Sequence, residues 1–358
     1  MGHSSFVRVV VAGAAALCTV AVTGSCAGST AKTTTPVFST LTFAFTGSFA
    51  DPQVENFETE LSQRSSRAVG IRIVPEFDTD THKVEQRIID AVASGGLDLG
   101  WVGVRAFAEL SVHDFDALVA PMLLDSLDAQ RAVLASDVPT RMLAGIDDLG
   151  VAGLALMGGP LRHPIAADAP LTTVASFAGI PFYSWHGDLN AQSVAALGAT
   201  NVDLAPHDRN AGIANGTIRA YENTLAYLAT TVERRTRIMT GNLNLWPSIG
   251  VLIANPATLA ALPGAHREAL LRAAAAASAH SLDVLEDESA LALTVCDAGG
   301  SLAEVAASEL EAFRARFTPV YERLQADPVT AGYLEEVKAL KAGMPADRVE
   351  IPPGCEAR

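Results

Sequence analysis

The chain has 358 residues, 49% of them hydrophobic, and a formal net charge of −15. Removing residues 1–25, which hold one basic and no acidic residue, would make the remainder −16. A nucleic-acid partner needs a basic face, so this charge argues against one. The remaining length exceeds what one hydrophobic core usually supports, so we expect two lobes.

The N-terminus has the pattern of an export signal. Arg8 precedes an unbroken run of apolar and small residues from Val9 to Val22. The run is shorter than the roughly 20 residues that a membrane-spanning helix needs. A basic start, a short apolar core and small residues near a cleavage point predict a signal peptide over residues 1–25.

Cys26 stands at the expected cleavage point. The segment Val22-Thr-Gly-Ser-Cys26 resembles a lipobox, although Thr23 stands where leucine is usual. We predict a lipidated Cys26 that anchors the protein to the outer face of the cell membrane; the alternative is a plain secretory signal. Residues 26–39 would be the lipidated cysteine and a flexible tether, because this Ser/Thr/Ala-rich stretch cannot bury enough apolar surface to order itself.

Strand and helix patterns then alternate in a β-α-β-α-β order, which is typical of an α/β lobe with a mostly parallel sheet. The predicted elements are strands at Leu41–Phe45, Val69–Val74 and Leu97–Val102 and helices at Asp51–Arg67 and Thr81–Ser94.

A second α/β pattern follows. Its predicted elements are strands at Val151–Met157, Ile180–Trp185, Val202–Leu204 and Thr217–Tyr221 and helices at Asp188–Leu197 and His207–Ala214. A further strand is predicted at Leu245–Ala254. We therefore assign residues 40–150 plus 247–265 to lobe 1 and residues 151–246 to an inserted lobe 2.

Residues 266–358 are predicted to be helical. His266 to Val295 contains neither Gly nor Pro, so we expect one long helix that bridges both lobes, followed by helices at Leu302–Leu324 and Ala331–Lys341. Cys296 and Cys355 are predicted to form a disulfide in an oxidising compartment, worth about 4 kcal/mol on the chain-entropy model. The alternative is two free thiols.

The sequence contains none of the common hydrolase, metalloprotease or nucleotide-binding motifs. We therefore predict no enzymatic activity, no cofactor and no metal. His113 to Asp116 is the nearest approach to a metal cluster and fits a solvated helix start. The alternative is a secreted α/β hydrolase or lyase, using His207 with Asp208 or His186 with Asp188.

Five segments carry a family resemblance: Asp98–Phe107, Ala120–Leu124, Gly158–His163, Asp208–Asn223 and Asn244–Ser248. In this order and spacing, they resemble the substrate-binding proteins of TRAP transporters. The resemblance implies a two-lobed periplasmic-binding-protein fold that closes on a small organic ligand, expected to be an organic acid, and docks on a TRAP-type permease. A sensor's ligand-binding subunit without transport would look the same in sequence.

Ligands of open α/β sheets bind beyond the carboxyl ends of the strands. The strand-end candidates for ligand binding are Thr46, Gly103, Val104, Arg162, Tyr183, His186, His207, Asn223 and Trp246. Several also fit plainer roles: Arg162 a surface arginine, Tyr183 and Trp246 core aromatics, and Asn223 a turn cap. Arg105 is expected to point to solvent.

One position departs from the family pattern. The family's carboxylate-binding arginine follows a Gly-x-x-apolar segment, which here is Gly179 to Phe182, and the next residue is Tyr183. We therefore predict that Arg162 is the main contact for an anionic ligand and that its side chain converges with those of Tyr183 and Asn223. The alternative is a ligand that is not a simple carboxylate.

Overall fold

The computed structural model describes residues 37–46, 52–75, 77, 80–230 and 238–357. The predicted signal peptide, Cys26 and most of the tether lie outside these residues. The predicted α/β class is confirmed, with one sheet of five strands and one of seven. No helix in the part of the chain that the structure describes combines the length and apolar character needed to cross a membrane.

The first part of the chain follows the predicted alternation. Its elements are β1 (Ser39–Phe45), α1 (Pro52–Arg64), β2 (Val69–Ile73), α2 (Val84–Ala93) and β3 (Leu99–Gly103). β1 pairs in parallel with both β2 and β3, as a β-α-β-α-β order requires.

The chain then passes from the first sheet to the second. The next elements are α3 (Leu127–Leu134), α4 (Val138–Ala144), β4 (Ala152–Met157) and β5 (Leu161–Ala166). β4 lies at the edge of the first sheet and β5 inside the second. The crossover between the sheets therefore follows Met157. We call each sheet, with the helices packed on it, one half of the molecule. The predicted lobe boundary at residue 151 assigns β4 to the second half, whereas the structure places it in the first. β5 was missed by the sequence analysis.

The second sheet continues with β6 (Pro181–Tyr183), α5 (Asp188–Ala196), β7 (Thr200–Asn201), α6 (Arg209–Asn215), β8 (Ala220–Asn223), α7 (Leu225–Thr230) and β9 (Ile238–Thr240). β6 pairs in parallel with β7 and β8, while β5 is antiparallel to β8 and β9. The strand predicted at Thr217–Tyr221 begins later, at Ala220, and the extended segment predicted at Val202–Leu204 is replaced by β7.

The prediction of a single strand at Leu245–Ala254 is wrong, because the structure has two separate strands there. β10 (Trp246–Pro247) pairs with β5 in the second sheet, and β11 (Gly250–Ala254) lies between β3 and β4 in the first. All five residues of β11 are buried, as expected for a central strand covered on both faces.

The remaining elements are α8 (Pro256–Ala261), α9 (Gly264–Ala279), α10 (Glu288–Asp297), β12 (Ser301–Ala303), α11 (Ala307–Arg316), α12 (Thr318–Ala326) and α13 (Pro328–Lys341). The helix predicted at Leu302–Leu324 is therefore one short strand and two helices. Pro319 lies in the first turn of α12, where a missing N–H is tolerated.

The prediction of one continuous helix from His266 to Val295 is wrong. α9 ends at Ala279, and α10 starts after Asp287, whose side chain accepts a hydrogen bond from the Ala290 N–H. Asp and Ser side chains can form hydrogen bonds with nearby backbone groups, and these bonds compete with those of a continuous helix. α9 packs against α1 and α10 against α7, so the two helices together reach both halves.

The two C-terminal cysteines are joined in the structure. Cys296 and Cys355 form a disulfide with 5.5 Å between their Cα atoms. The Leu302 N–H donates to the Cys355 carbonyl at 2.9 Å, and the Ala357 N–H donates to the Leu302 carbonyl at 2.8 Å. The C-terminal tail is thus held against β12 and the end of α10.

Candidate functional site

A buried carboxylate organises the carboxyl edge of the first sheet. Glu85 lies on α2, and its side chain is only 4% exposed. It accepts hydrogen bonds from the Gly103 N–H at 2.7 Å and the Thr46 hydroxyl at 3.2 Å. It also accepts from the Arg105 guanidinium at 2.5 Å and from the Trp185 indole at 3.3 Å. A carboxylate this deeply buried requires such partners.

Gly103 is needed here because of Arg105. A Cβ at position 103 would stand 2.0 Å from Arg105 Nη1 and 3.0 Å from Glu85 Oε1. Gly103 was predicted to contact a ligand. In the structure, the space beside it is filled by the Arg105–Glu85 pair. Val104, the next candidate, is 1% exposed and packs in the hydrophobic core.

A second buried ion pair lies in the other sheet. Glu222 on β8 has a fully buried side chain and pairs with the Nε of Arg162 on β5. Arg162 also donates through Nη2 to the Glu222 carbonyl at 3.1 Å and through Nη1 to the Ser248 hydroxyl at 3.2 Å. β5 and β8 are antiparallel with Pro164 opposite Glu222, which places Arg162 and Glu222 on one face of the sheet as diagonal neighbours.

Trp185 connects the two ion pairs. Its backbone N–H donates to Glu222 at 2.8 Å, its indole N–H donates to Glu85 at 3.3 Å, and the Arg105 guanidinium lies 5.3 Å from its ring centroid. We call Glu85, Arg105, Arg162, Trp185 and Glu222 the charged cluster. It joins residues from both sheets, so it lies where the two halves of the molecule meet.

Both arginines of the charged cluster keep guanidinium N–H groups that donate to no described residue. A guanidinium carries five N–H groups. Hydrogen bonds to described residues use three on Arg162 and two on Arg105, whose Nε donates to the His186 carbonyl at 3.1 Å. The charged cluster can therefore donate hydrogen bonds to an acceptor-rich ligand.

Trp246 adds a further donor beside Arg162. The pairing of β10 with β5 sets these two residues directly opposite one another, so their side chains share a face. Trp246 is 2% exposed, and its indole nitrogen is buried without a hydrogen-bond partner among the described residues. An unsatisfied buried N–H is costly, so this group is available to an acceptor.

Tyr183 and Asn223, which were predicted to converge with Arg162, leave their strands on the other face of the sheet. Tyr183 is paired with Tyr221 on β8, one residue from Glu222, so it lies on the opposite face of the sheet and packs in a separate core cluster. Asn223 shares that face and accepts from the Thr224 N–H at 2.9 Å. Burial raises the pKa of Tyr183 to about 12, which keeps its hydroxyl neutral.

The two candidate histidines have different surroundings. His186 lies beside the charged cluster, with its Nε2 2.6 Å from Glu109 and its Nδ1 3.5 Å from Asp203. These, rather than the proposed Asp188, are the described carboxylates at ion-pair distance from it. The His207 side chain is 48% exposed and lies 3.2 Å from Asp208.

Four members of the charged cluster were not predicted from the sequence: Glu85, Arg105, Trp185 and Glu222. One of them carried a readable signal. Glu85 lies on the buried face of α2 beside Val84 and Ile88, where an unpaired acid would be costly. Arg105 was expected to point to solvent because it starts a helix, yet its side chain is only 16% exposed.

The family model described as "Bacterial extracellular solute-binding protein, family 7" matches residues 46–327. No protein of curated function matches the chain in sequence.

Several solved structures share the fold. A TRAP periplasmic solute-binding protein from Roseobacter denitrificans with bound β-D-glucuronate is 20% identical, with a TM-score of 0.74 over 84% of this chain and 99% of that one. One from Polaromonas sp. JS666 with D-erythronate is 18% identical, with a TM-score of 0.75 over 85% and 99%. One from Bradyrhizobium sp. with α/β-D-galacturonate is 21% identical, with a TM-score of 0.73 over 84% and 99%.

Replacing Gly103 with alanine should disrupt the Arg105–Glu85 pair, because the new methyl group would occupy the position of the guanidinium. We expect a loss of about 1–3 kcal/mol in the free energy of unfolding, measured by urea denaturation. Gly70→Ala is the control, since a Cβ at this strand glycine meets nothing within 4 Å. Equal stability of the two variants would contradict the described packing.

His163, next to Arg162, should make the fold sensitive to acid. Burial lowers its pKa to about 4, an effect that the Thr240 backbone opposes and the Arg162 charge reinforces. The unfolded chain binds this proton near pH 6.5, so stability should fall as the pH drops from about 6.5 to about 4, by up to about 3 kcal/mol. His163→Gln should flatten this pH dependence in denaturation curves, and His280→Gln, at an exposed site, should not. An unchanged slope in His163→Gln would refute the assignment.

Proposed function

Because the chain belongs to the bacterial extracellular solute-binding proteins of family 7, we propose that it captures a hydroxylated organic acid at the charged cluster and delivers it to a TRAP-type membrane permease. The observation that carries the proposal is the pair of buried arginines, one from each half of the molecule, whose N–H donors are only partly used within the chain.

The charges of the cluster favour a particular ligand chemistry. Arg105 and Arg162 are each already paired with a glutamate, so the cluster is neutral before a ligand binds. A carboxylate would accept the remaining guanidinium donors through charge-assisted hydrogen bonds. Ligand hydroxyls could donate to Glu85 or Glu222 and accept from the Trp246 indole. Sugar acids combine both groups, and the related structures from Roseobacter denitrificans and Polaromonas hold glucuronate and erythronate.

The tyrosine at position 183 fits this chemistry. Where the resemblance implies a carboxylate-binding arginine, this chain has a buried neutral hydroxyl on the far face of the second sheet. We propose that Arg162 and Arg105 together take over the carboxylate. Arg105 comes from the first half, so this contact forms only when the two halves close on the ligand.

Arg162→Lys tests the proposal. Lysine keeps a positive charge beside Glu222 but loses the planar fork, so affinity for an acidic ligand should fall more than tenfold. A thermal-shift screen of hexuronic, aldonic and smaller hydroxy acids supplies the ligand, since saturation at 100 times Kd should stabilise the protein by about 2.7 kcal/mol. Calorimetry then compares the wild type with the variants.

Arg219→Lys is the matched control, because Arg219 pairs with Asp168 at an exposed site on the same half of the molecule. Tyr183→Phe should also have little effect, since its side chain lies on the opposite face from Arg162. Wild-type affinity in Arg162→Lys would reject Arg162 as the carboxylate contact. Absence of any acidic ligand from the screen would reject the ligand class.

We further propose that a lipid on Cys26 holds the protein at the outer face of the membrane, with the residues between Cys26 and β1 as the tether. The support is the lipobox-like segment and the family's extracellular location. Metabolic labelling with a fatty acid in a lipoprotein-forming bacterial host should label the wild type and not Cys26→Ser. Cys18→Ser, inside the predicted signal, is the control and should remain labelled. Equal labelling of wild type and Cys26→Ser, or none in either, would reject the anchor.

A further inference from the structure

A second group of side chains lies beside the charged cluster and takes no part in it. His82, His186 and Asp203 each offer one ligand atom, and these atoms lie within 4.8 Å of one another. His82 comes from the first half of the molecule, in the segment before α2, and the other two come from the second half, after β6 and β7. We propose that these three residues bind a divalent transition-metal ion that bridges the two halves.

The two nitrogens of His186 have different neighbours, as a metal ligand requires. Its Nε2 lies at ion-pair distance, 2.6 Å, from Glu109 Oε1, and neither atom has a hydrogen-bond partner among the described residues. Its Nδ1 faces Asp203 at 3.5 Å. Metal-binding histidines commonly donate their second ring N–H to a carboxylate, which fixes the ring and its tautomer. A small rotation of the His186 ring would align Nε2 to donate to Glu109, leaving Nδ1 for the metal.

The spacing suits a metal with short bonds to nitrogen. His82 Nδ1 and His186 Nδ1 lie 4.0 and 3.5 Å from Asp203 Oδ1, and the two imidazole centroids are 4.6 Å apart. Ligand atoms of a tetrahedral zinc site with bonds of about 2.0–2.1 Å are roughly 3.3 Å apart. Small rotations close the difference, since the Asp203 side chain is 55% exposed and His82 is 38% exposed.

The donor set identifies the class of ion. Two imidazoles and one carboxylate suit Zn²⁺, Ni²⁺ or Cu²⁺, whereas Ca²⁺ and Mg²⁺ prefer sites made of oxygen ligands alone. Glu109 and Asp203 add two carboxylates beside the imidazoles, and a divalent ion would balance their negative charge. The fourth position stays open to water or to a ligand oxygen.

Such an ion would favour the closed arrangement, because its ligands come together only when the two halves meet. By linkage, closure would strengthen metal binding to the same degree. The site stands on its own geometry and does not require the proposed solute to be correct.

Calorimetric titration of zinc chloride into chelator-treated protein tests the site. We expect one saturable site in the wild type, and affinity at least tenfold weaker in His82→Ala and His186→Ala. Glu109→Gln should weaken it about tenfold or more through His186. His280→Gln is the matched control, since His280 and Asp283 form an exposed pair at 3.3 Å that could bind zinc only weakly.

Carboxylates on the acidic surface can bind zinc weakly, and such binding must be distinguished from the proposed site. Weak zinc binding at several sites, equal in the wild type and in His82→Ala, would mean adventitious binding to surface carboxylates. If His186→Ala fails to fold, His82→Ala still decides, because its side chain is partly exposed. Zinc should also raise the Tm of the wild type and of His280→Gln but not that of His82→Ala; an equal rise in all three would refute the site.

Discussion

Two buried carboxylates, Glu85 and Glu222, organise the charged contact between the halves of this protein. An unpaired buried charge costs several kcal/mol, so each carboxylate holds an arginine from its own half. These pairs can survive separation of the halves. Within the charged cluster, the halves are joined by the Trp185 indole to Glu85, the Arg105 guanidinium near the Trp185 ring, and Arg105 to the His186 carbonyl. Closure therefore brings together two preformed parts of a site.

This division explains how a ligand could control closure. The contacts that cross are individually modest, because a hydrogen bond contributes about 0.5–1.5 kcal/mol net, and somewhat more when one partner is charged. A ligand that engages Arg162 on one side and Arg105 on the other adds contacts available only in the closed form. Differential affinity of this kind is what shifts a two-state equilibrium. The prepaired glutamates also keep both guanidiniums oriented before the ligand arrives.

The sequence predicted the parts of the fold that depend on local periodicity. β1, α2 and β3 lie where alternating and helical patterns place them, and the order of elements identified the α/β class. The break between α9 and α10 was missed because side-chain hydrogen bonds, such as that of Asp287, outweigh the helical propensity of an Ala-rich segment. The division into β10 and β11 was missed although Pro247 and Ser248 interrupt the apolar pattern, and a proline within a strand pattern argues against one continuous strand.

The candidate site was predicted less well, for a physical reason. Strand-end position identified Arg162, but the face on which a side chain lies depends on strand register, which one sequence does not reveal. Tyr183 and Asn223 consequently lie on the other face of the sheet from Arg162. Arg105 and Glu85 depend on a contact between α2 and the segment after β3, so the pair cannot be recognised from either segment alone. Glu85 on an apolar helix face was the one local clue.

A crystal structure of the protein with an organic acid that it binds would show directly whether the charged cluster holds the ligand. We expect a ligand carboxylate within hydrogen-bond distance of the Arg162 or Arg105 guanidinium, with Trp185 in contact and both glutamates still paired. A ligand bound elsewhere, or one bound in the cleft with both guanidiniums donating only to Glu85, Glu222 and the backbone, would contradict it.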